Sequence, residues 1–219
     1  MIGRHTEVGI VNEDITGRGV ASVLGKQVTG NKLCVPNQIR LNGRPFFGQR
    51  LLKNIGLVSE APKSQYCIRD YLELPNVKVL AIIRDGNDTV SSMMHRGKTS
   101  VRKAARRWGE AIETIFELKQ QERERILVVS FDDLVLHPVN TLEMVCKFLG
   151  LCFEERMLDA PQHNPYYRET ELKTEKTRVA RTEKIDLSME NLVPTAYGKY
   201  QRLLAHTADD SVRRQSAGK

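Results

Sequence analysis

The sequence predicts an α/β fold built on a parallel sheet, and three observations predict it. Two apolar runs of strand length stand at residues 77–83 and 126–131, an amphipathic helical repeat fills the interval between them, and a further helix follows Pro138. Strand, helix, strand, helix in that order is the pattern of parallel strands joined by helical crossovers. A length of 219 residues suits one domain of ordinary size. Residues 1–208 are expected to form it, with 209–219 as a flexible tail.

In chain order, residues 25–59 hold scattered Gly, Asn and Pro and give no firm periodicity. Residues 64–74 (SQYCIRDYLEL) read as a helix capped by Ser64 that leads through Pro75 into the first strand. That strand, VKVLAII at 77–83, is a near-continuous apolar run of the kind that burial on both faces requires, so it is expected to be central. Residues 100–119 then place Val101, Ala104, Ala105, Trp108, Ala111, Ile112, Ile115 and Phe116 at steps of three and four, with Arg and Lys opposite. At this spacing Trp108 reads as core rather than as a base-stacking side chain. The second strand, ILVVSF at 126–131, ends at Asp132 and Asp133, which suit a turn or a helix start. After Pro138 a helix carries Leu142, Val145, Cys146 and Leu149 and stops at Gly150, a residue suited to the left-handed cap. Beyond Pro161 the chain turns polar and basic, with a last helix at 194–205.

Hydrophobic residues at 40% and charged residues at 28% match a chain that folds in water. Lys and Arg number 34 against 27 Asp and Glu, a formal charge of +7 that suits an anionic partner without naming it. A nucleic-acid-binding domain ranks last among the readings, because no recognition motif or aromatic-rich sheet face accompanies the charge. The four cysteines form no CxxC or Cys/His cluster, which argues against a zinc site, and no metal is expected. Cys146 and Cys152 stand in apolar sequence surroundings and read as reduced thiols. No stretch approaches 18 apolar residues, and Arg4, Glu7, Glu13, Asp14 and Arg18 occupy the first 20 positions, so no membrane span or signal peptide is visible. A cytoplasmic location is the expectation, unless a segment ahead of Met1 carries an address.

Chemistry concentrates at residues 81–92, AIIRDGNDTVSS, where an apolar strand ends in Arg84, a Gly-containing loop follows, and Ser92 lies in the next helix. The carboxyl end of a parallel strand beside a helix N-terminus favours phosphate, an Arg offers a bidentate fork, and a Ser hydroxyl adds one more contact. The same string also reads as a structural ion pair between Arg84 and Asp85.

An Arg at a strand end with a Ser eight residues on resembles the 3′-phosphate motif of sulfotransferases that use 3′-phosphoadenosine-5′-phosphosulfate (PAPS), with Arg84 and Ser92 at the matching positions. RDGNDTVSSM resembles the arginine loop of the tyrosylprotein sulfotransferases, RWGEAIE at 107–113 is similar to their following helix, and FDDLVLHP at 131–138 with KFLGL at 147–151 to their next strand and helix end. Together these cover residues 64–151 in order. The resemblance implies a P-loop nucleotide-hydrolase-like fold, PAPS as co-substrate with adenosine 3′,5′-bisphosphate (PAP) as product, no metal, and a hydroxyl acceptor on a protein, a carbohydrate or a small molecule. HTEVGIVNED at 5–14 resembles the family segment that opens with His and closes on a catalytic Glu, which implies Glu13 as the base that takes the acceptor proton. The other reading is that Glu13 and Asp14 cap the next helix. Lys32 in GNKLCVP is the first candidate for neutralising charge on the transferred group, with Lys63 a rival. Arg181 in VARTEKIDL resembles a donor-facing basic position, for which Arg178 would serve equally.

Sulfotransferases of this kind begin with a strand and a Gly- and Ser/Thr-rich loop that cradles the phosphosulfate. This chain has no counterpart, since GRGVASVLGKQ at 17–27 holds one residue too many between Gly19 and Gly25 and has Gln27 where Ser or Thr belongs. The expectation is therefore an α/β fold lacking the first strand and phosphate loop, with Met1 an internal Met of a longer protein. An unpaired sheet edge would invite association, so a homodimer is among the expected partners. Phe131 stands where the tyrosylprotein enzymes have Tyr. The alternative to an active enzyme is a catalytically inactive remnant that binds PAP or another anion.

Overall fold

The structure, a computed structural model, describes residues 1–13, 23, 25–41, 67–97, 99–159 and 186–216. The chain divides into two compact units, one of Met1–Val8 with Val79–Lys219 and one of Gly9–Lys78.

In the larger unit, strand β3 (Val79–Ile83) pairs in parallel with β4 (Ile126–Ser130), in a register that sets Val79 beside Ile126 and Ile83 beside Ser130. Helices α2 (Gly86–Gly97) and α3 (Val101–Gln121) make the crossover between them, so the predicted α/β pattern is present. The expected apolar face of α3 is the buried one, with Ala104, Ala105, Trp108, Ile112 and Ile115 inside and Gly109 and Leu118 added.

The expectation that residues 77–83 form a central, fully covered strand is corrected. All five residues of β4 are buried, whereas Ile82 in β3 is 53% exposed. β4 takes its cover from α3, from the helix that follows Pro138 and from the C-terminal helix; among the described residues β3 pairs with β4 alone. The second strand also stops one residue early. Ser130 accepts hydrogen bonds from the Asp132 and Asp133 amides through its Oγ, at 3.2 and 3.4 Å, and so caps α4 (Phe131–Leu136), placing Phe131 at a helix start.

Helix α5 (Pro138–Leu149) begins on Pro138 and ends at Gly150 with φ of 79°, the left-handed cap read from the sequence. Its inner face, Leu142 and Cys146, packs with Met157 from the short 3₁₀ turn Glu155–Leu158. Burial pushes the Cys146 thiol up, so it stays protonated. Cys152, by contrast, is exposed, which corrects its placement in apolar surroundings. Leu142 is 2% exposed, and Leu142→Ala is expected to lower unfolding free energy by about 2–5 kcal/mol, measured as a drop in urea midpoint at unchanged slope.

The N-terminal turn Ile2–Arg4 lies against the same 3₁₀ turn. Buried His5 accepts the Glu7 amide at Nδ1 (3.0 Å), so its proton sits on Nε2, which donates to the Cys152 carbonyl at 2.8 Å. Glu154 receives both the amide and the hydroxyl of Thr6, and these bonds hold its carboxyl below the usual range.

After α6 (Met189–Leu192), the last helix α7 (Pro194–Ser216) packs on α3 and β4 and buries Ala196, Tyr200, Leu203 and Thr207 at helical spacing. It runs past the predicted end at 205, so the residues expected as a loose tail are helical through Ser216.

In the smaller unit β1 (Val8–Asn12) pairs with β2 (Val28–Lys32). Helix α1 (Ile68–Leu72) is capped by Cys67, whose amide donates to Asp70 Oδ2 at 3.1 Å while its sulfur accepts the Asp70 amide. This reciprocal box starts the helix later than the predicted cap at Ser64, which lies outside the described residues.

Candidate functional site

Arg84 is the first residue beyond β3, at the carboxyl end of the parallel pair. Asp85 starts α2 behind it: its Oδ1 accepts the Asp88 amide at 3.1 Å, and its carbonyl accepts the Thr89 amide and hydroxyl. The Arg84 carbonyl is fixed by the Trp108 indole N–H at 3.1 Å. Trp108, 3% exposed, meets the Tyr200 ring edge-on at 5.4 Å. It is core, as its spacing predicted, but core that anchors the strand end. Gly86 has its own reason to be glycine, since a Cβ there would lie 2.9 Å from Met189 Cε and 3.2 Å from Trp108 Cε2. Asn87 Oδ1 accepts the Leu187 amide at 3.0 Å, which ties the C-terminal segment to the same loop.

The guanidinium of Arg84 is held on two sides. Nη2 donates to Asp88 Oδ2 at 3.0 Å, and the group lies 4.8 Å from the centroid of the Phe131 ring. Its Nε is buried with no hydrogen-bond partner, a cost of roughly 1–3 kcal/mol that an arriving acceptor would remove. The alternative of an Arg84–Asp85 pair is replaced by Arg84–Asp88, because Asp85 faces the helix amides while Asp88 stands one turn on. Ser92 stands a further turn along α2, so Asp88 and Ser92 share a helix face.

Sequence reading missed Asp88 and Tyr200, and it marked Phe131 as a departure from the family without setting it beside Arg84. Asp88 had a signal, being four residues from Arg84, whereas Phe131 meets Arg84 because each is the residue just past its strand in the Ile83–Ser130 register. Tyr200 had none, because its place depends on how α7 packs. Burial first, then Asp85 and Asp132, push its phenol well up, so it stays a neutral hydroxyl.

Glu13 and Lys32, both in the smaller unit, are brought together. The Glu13 amide donates to the Lys32 carbonyl at 2.9 Å, and Lys32 Nζ is 3.3 Å from Glu13 Oε1. Oε1 also accepts from Cys34 Sγ at 3.6 Å, and Oε2 accepts from Gln38 Nε2 at 2.8 Å. The Gln38 amide, then Lys32, hold the Glu13 carboxyl below the usual range, so it is ionised at neutral pH. Glu13 adopts φ of 59°, a left-handed conformation that costs a non-glycine residue about 1–2 kcal/mol. Lys63, Arg178 and Arg181, and any helix that Asp14 caps, lie outside the described residues.

Residues 65–155 match the model of the sulfotransferase family. The matched stretch makes up less than half of the chain. It contains Arg84, Ser92, Asp88 and Phe131; Glu13 and Lys32 lie outside it. Among curated proteins the chain is similar to protein-tyrosine sulfotransferase 2 of Gallus gallus, 34% identical in an alignment 92 residues long that covers 38% of this chain and 25% of that protein. It is also similar to the protein-tyrosine sulfotransferase of Drosophila melanogaster, 30% identical over 115 residues, 44% of this chain and 23% of that one. The sulfotransferase match therefore spans about a quarter of the length of these relatives. Among solved structures the sulfotransferase domain from the Synechococcus PCC 7002 olefin synthase superposes with a TM-score of 0.47 at 18% identity, covering 84% of this chain and 62% of that one. The sulfotransferase domain from the curacin biosynthetic pathway gives 0.45 at 15% identity, covering 90% and 67%.

Proposed function

We propose that the chain carries out sulfuryl transfer from PAPS to an acceptor hydroxyl, with protein tyrosine the first acceptor to test. The observation that carries the reading is Arg84, set at the carboxyl end of a parallel strand within the sulfotransferase-matched stretch, its guanidinium laid on Phe131 and its Nε buried without a partner. In this reading Arg84 and Ser92 hold the 3′-phosphate of the donor. The bond between sulfur and the bridging phosphate oxygen breaks, the acceptor oxygen bonds to sulfur, and PAP leaves. Glu13 takes the acceptor proton, Lys32 offsets charge on the transferred group, and Arg181 adds positive charge near the donor.

The test is incubation with sulfur-labelled PAPS and three acceptors: a tyrosine peptide rich in Asp and Glu, a polysaccharide and a small phenol. Label on the peptide tyrosine is the expected result. A second reading, an inactive PAP-binding protein, draws support from Glu13, whose two carboxylate oxygens are already engaged by Gln38, Lys32 and Cys34. PAP binding without label transfer to any acceptor would favour it.

A further inference from the structure

Glu13 is exposed, so a role as base requires something to aim its side chain. Lys32 alone does not: its side chain is 60% exposed and its contact is 3.3 Å long. The shortest bond to the carboxylate comes from Gln38, at 2.8 Å.

The Gln38 amide is pinned at both ends. Its Oε1 accepts the Cys34 amide at 2.7 Å, and because that partner is a donor, the oxygen must face Cys34 and the NH₂ must face Glu13. The backbone closes the same loop, with the Gln38 and Ile39 amides both donating to the Cys34 carbonyl, at 2.8 and 3.4 Å. Gln38 therefore has one orientation, and it presents a neutral donor to Glu13 Oε2. Oε1 receives the longer contacts, from Lys32 and from the Cys34 thiol.

We propose that Gln38 is a positioning residue that fixes the Glu13 carboxylate through Oε2, so that Oε1, on giving up its longer contacts to Lys32 and the Cys34 thiol, is the atom that takes the acceptor proton. This rests on the reading of Glu13 as the base. A neutral amide suits the task because it orients the carboxylate without titrating alongside it, and its bond to Oε2 persists when a proton arrives on Oε1. The titratable and charged groups facing Glu13 among the described residues are Lys32 and Cys34.

The experiment follows the Glu13 carboxyl carbon by NMR in the full chain, assigned with Glu13→Gln, beside turnover with PAPS. In the unsubstituted chain the Glu13 midpoint is expected below the ordinary carboxylate range. Gln38→Met, close in length and without a donor, should raise it and lower kcat roughly ten- to a hundredfold with KM for PAPS unchanged. The acid limb of the rate profile should move in the same direction as the NMR midpoint. Should Gln38→Met fail to fold, Gln38→Glu preserves size, and its carboxylate facing Glu13 should raise the midpoint further. An unmoved midpoint in an active variant overturns the role of Gln38 and leaves the base reading standing. A midpoint that moves in a chain transferring no sulfuryl group upholds the hold of Gln38 on Glu13 and overturns Glu13 as the base.

Discussion

Arg84→Ala is expected to weaken PAP binding by about 10²- to 10⁴-fold, measured by calorimetric titration. The magnitude follows from losing two charge-assisted hydrogen bonds to a phosphate, each worth about 1.5–3 kcal/mol against 1.4 kcal/mol per factor of ten. Arg84→Lys should fall between, because an ammonium keeps the charge but offers no planar fork and lies poorly on the Phe131 ring. Both variants release Asp88 from its 3.0 Å partner, but that carboxylate reaches solvent, so the fold should survive; circular dichroism before titration checks this. If the intact chain gives no heat with PAP, the donor-site reading of Arg84 falls. If Arg84→Ala binds as tightly as the intact chain, the 3′-phosphate sits elsewhere.

Glu13→Gln is expected to lower turnover by about 10²- to 10⁴-fold while PAP affinity stays the same, since the substitution keeps shape and removes only the capacity to take a proton. A loss of PAP affinity equal to the loss of rate would instead mark Glu13 as a donor contact. The pH dependence follows from the direction of its shift. A carboxyl lowered from 4.5 remains ionised as pH falls through the ordinary carboxylate range, so the acid limb of kcat should lie below that range. The contribution of the Glu13 cluster to folding has the same sign: it is fully present above the carboxylate pKa of the unfolded chain and is lost as pH falls through the lower folded value.

How much of this was legible in the sequence depended on whether the cause was local. Gly150 could be read because a left-handed cap is a property of one residue at the end of one helix. The inner face of α3 could be read because its period is written in the chain. Arg84 could be read because a polar residue ending an apolar run must stand at a strand end. What could not be read depended on distant partners. An apolar run states that a strand can be covered, not which strand is, and so cover expected over Ile82 went to β4 instead. The described helix cap fell on Cys67 because Asp70 three residues on could answer it. Cys152 looked apolar by its neighbours, yet packing put Cys146 inside and left Cys152 outside. At Glu13 the pairing with Lys32 followed from β1 lying beside β2, while Gln38 reached it only through the turn at Cys34.

The indole that steadies the Arg84 carbonyl is the chain's single tryptophan. Its emission therefore originates wholly at the end of β3, from a ring shielded from water and bordered by Tyr200. The protein carries a built-in optical probe one hydrogen bond from the anion seat proposed at Arg84. A change in that emission as an anion settles on Arg84 reads occupancy directly, with no dye or label attached.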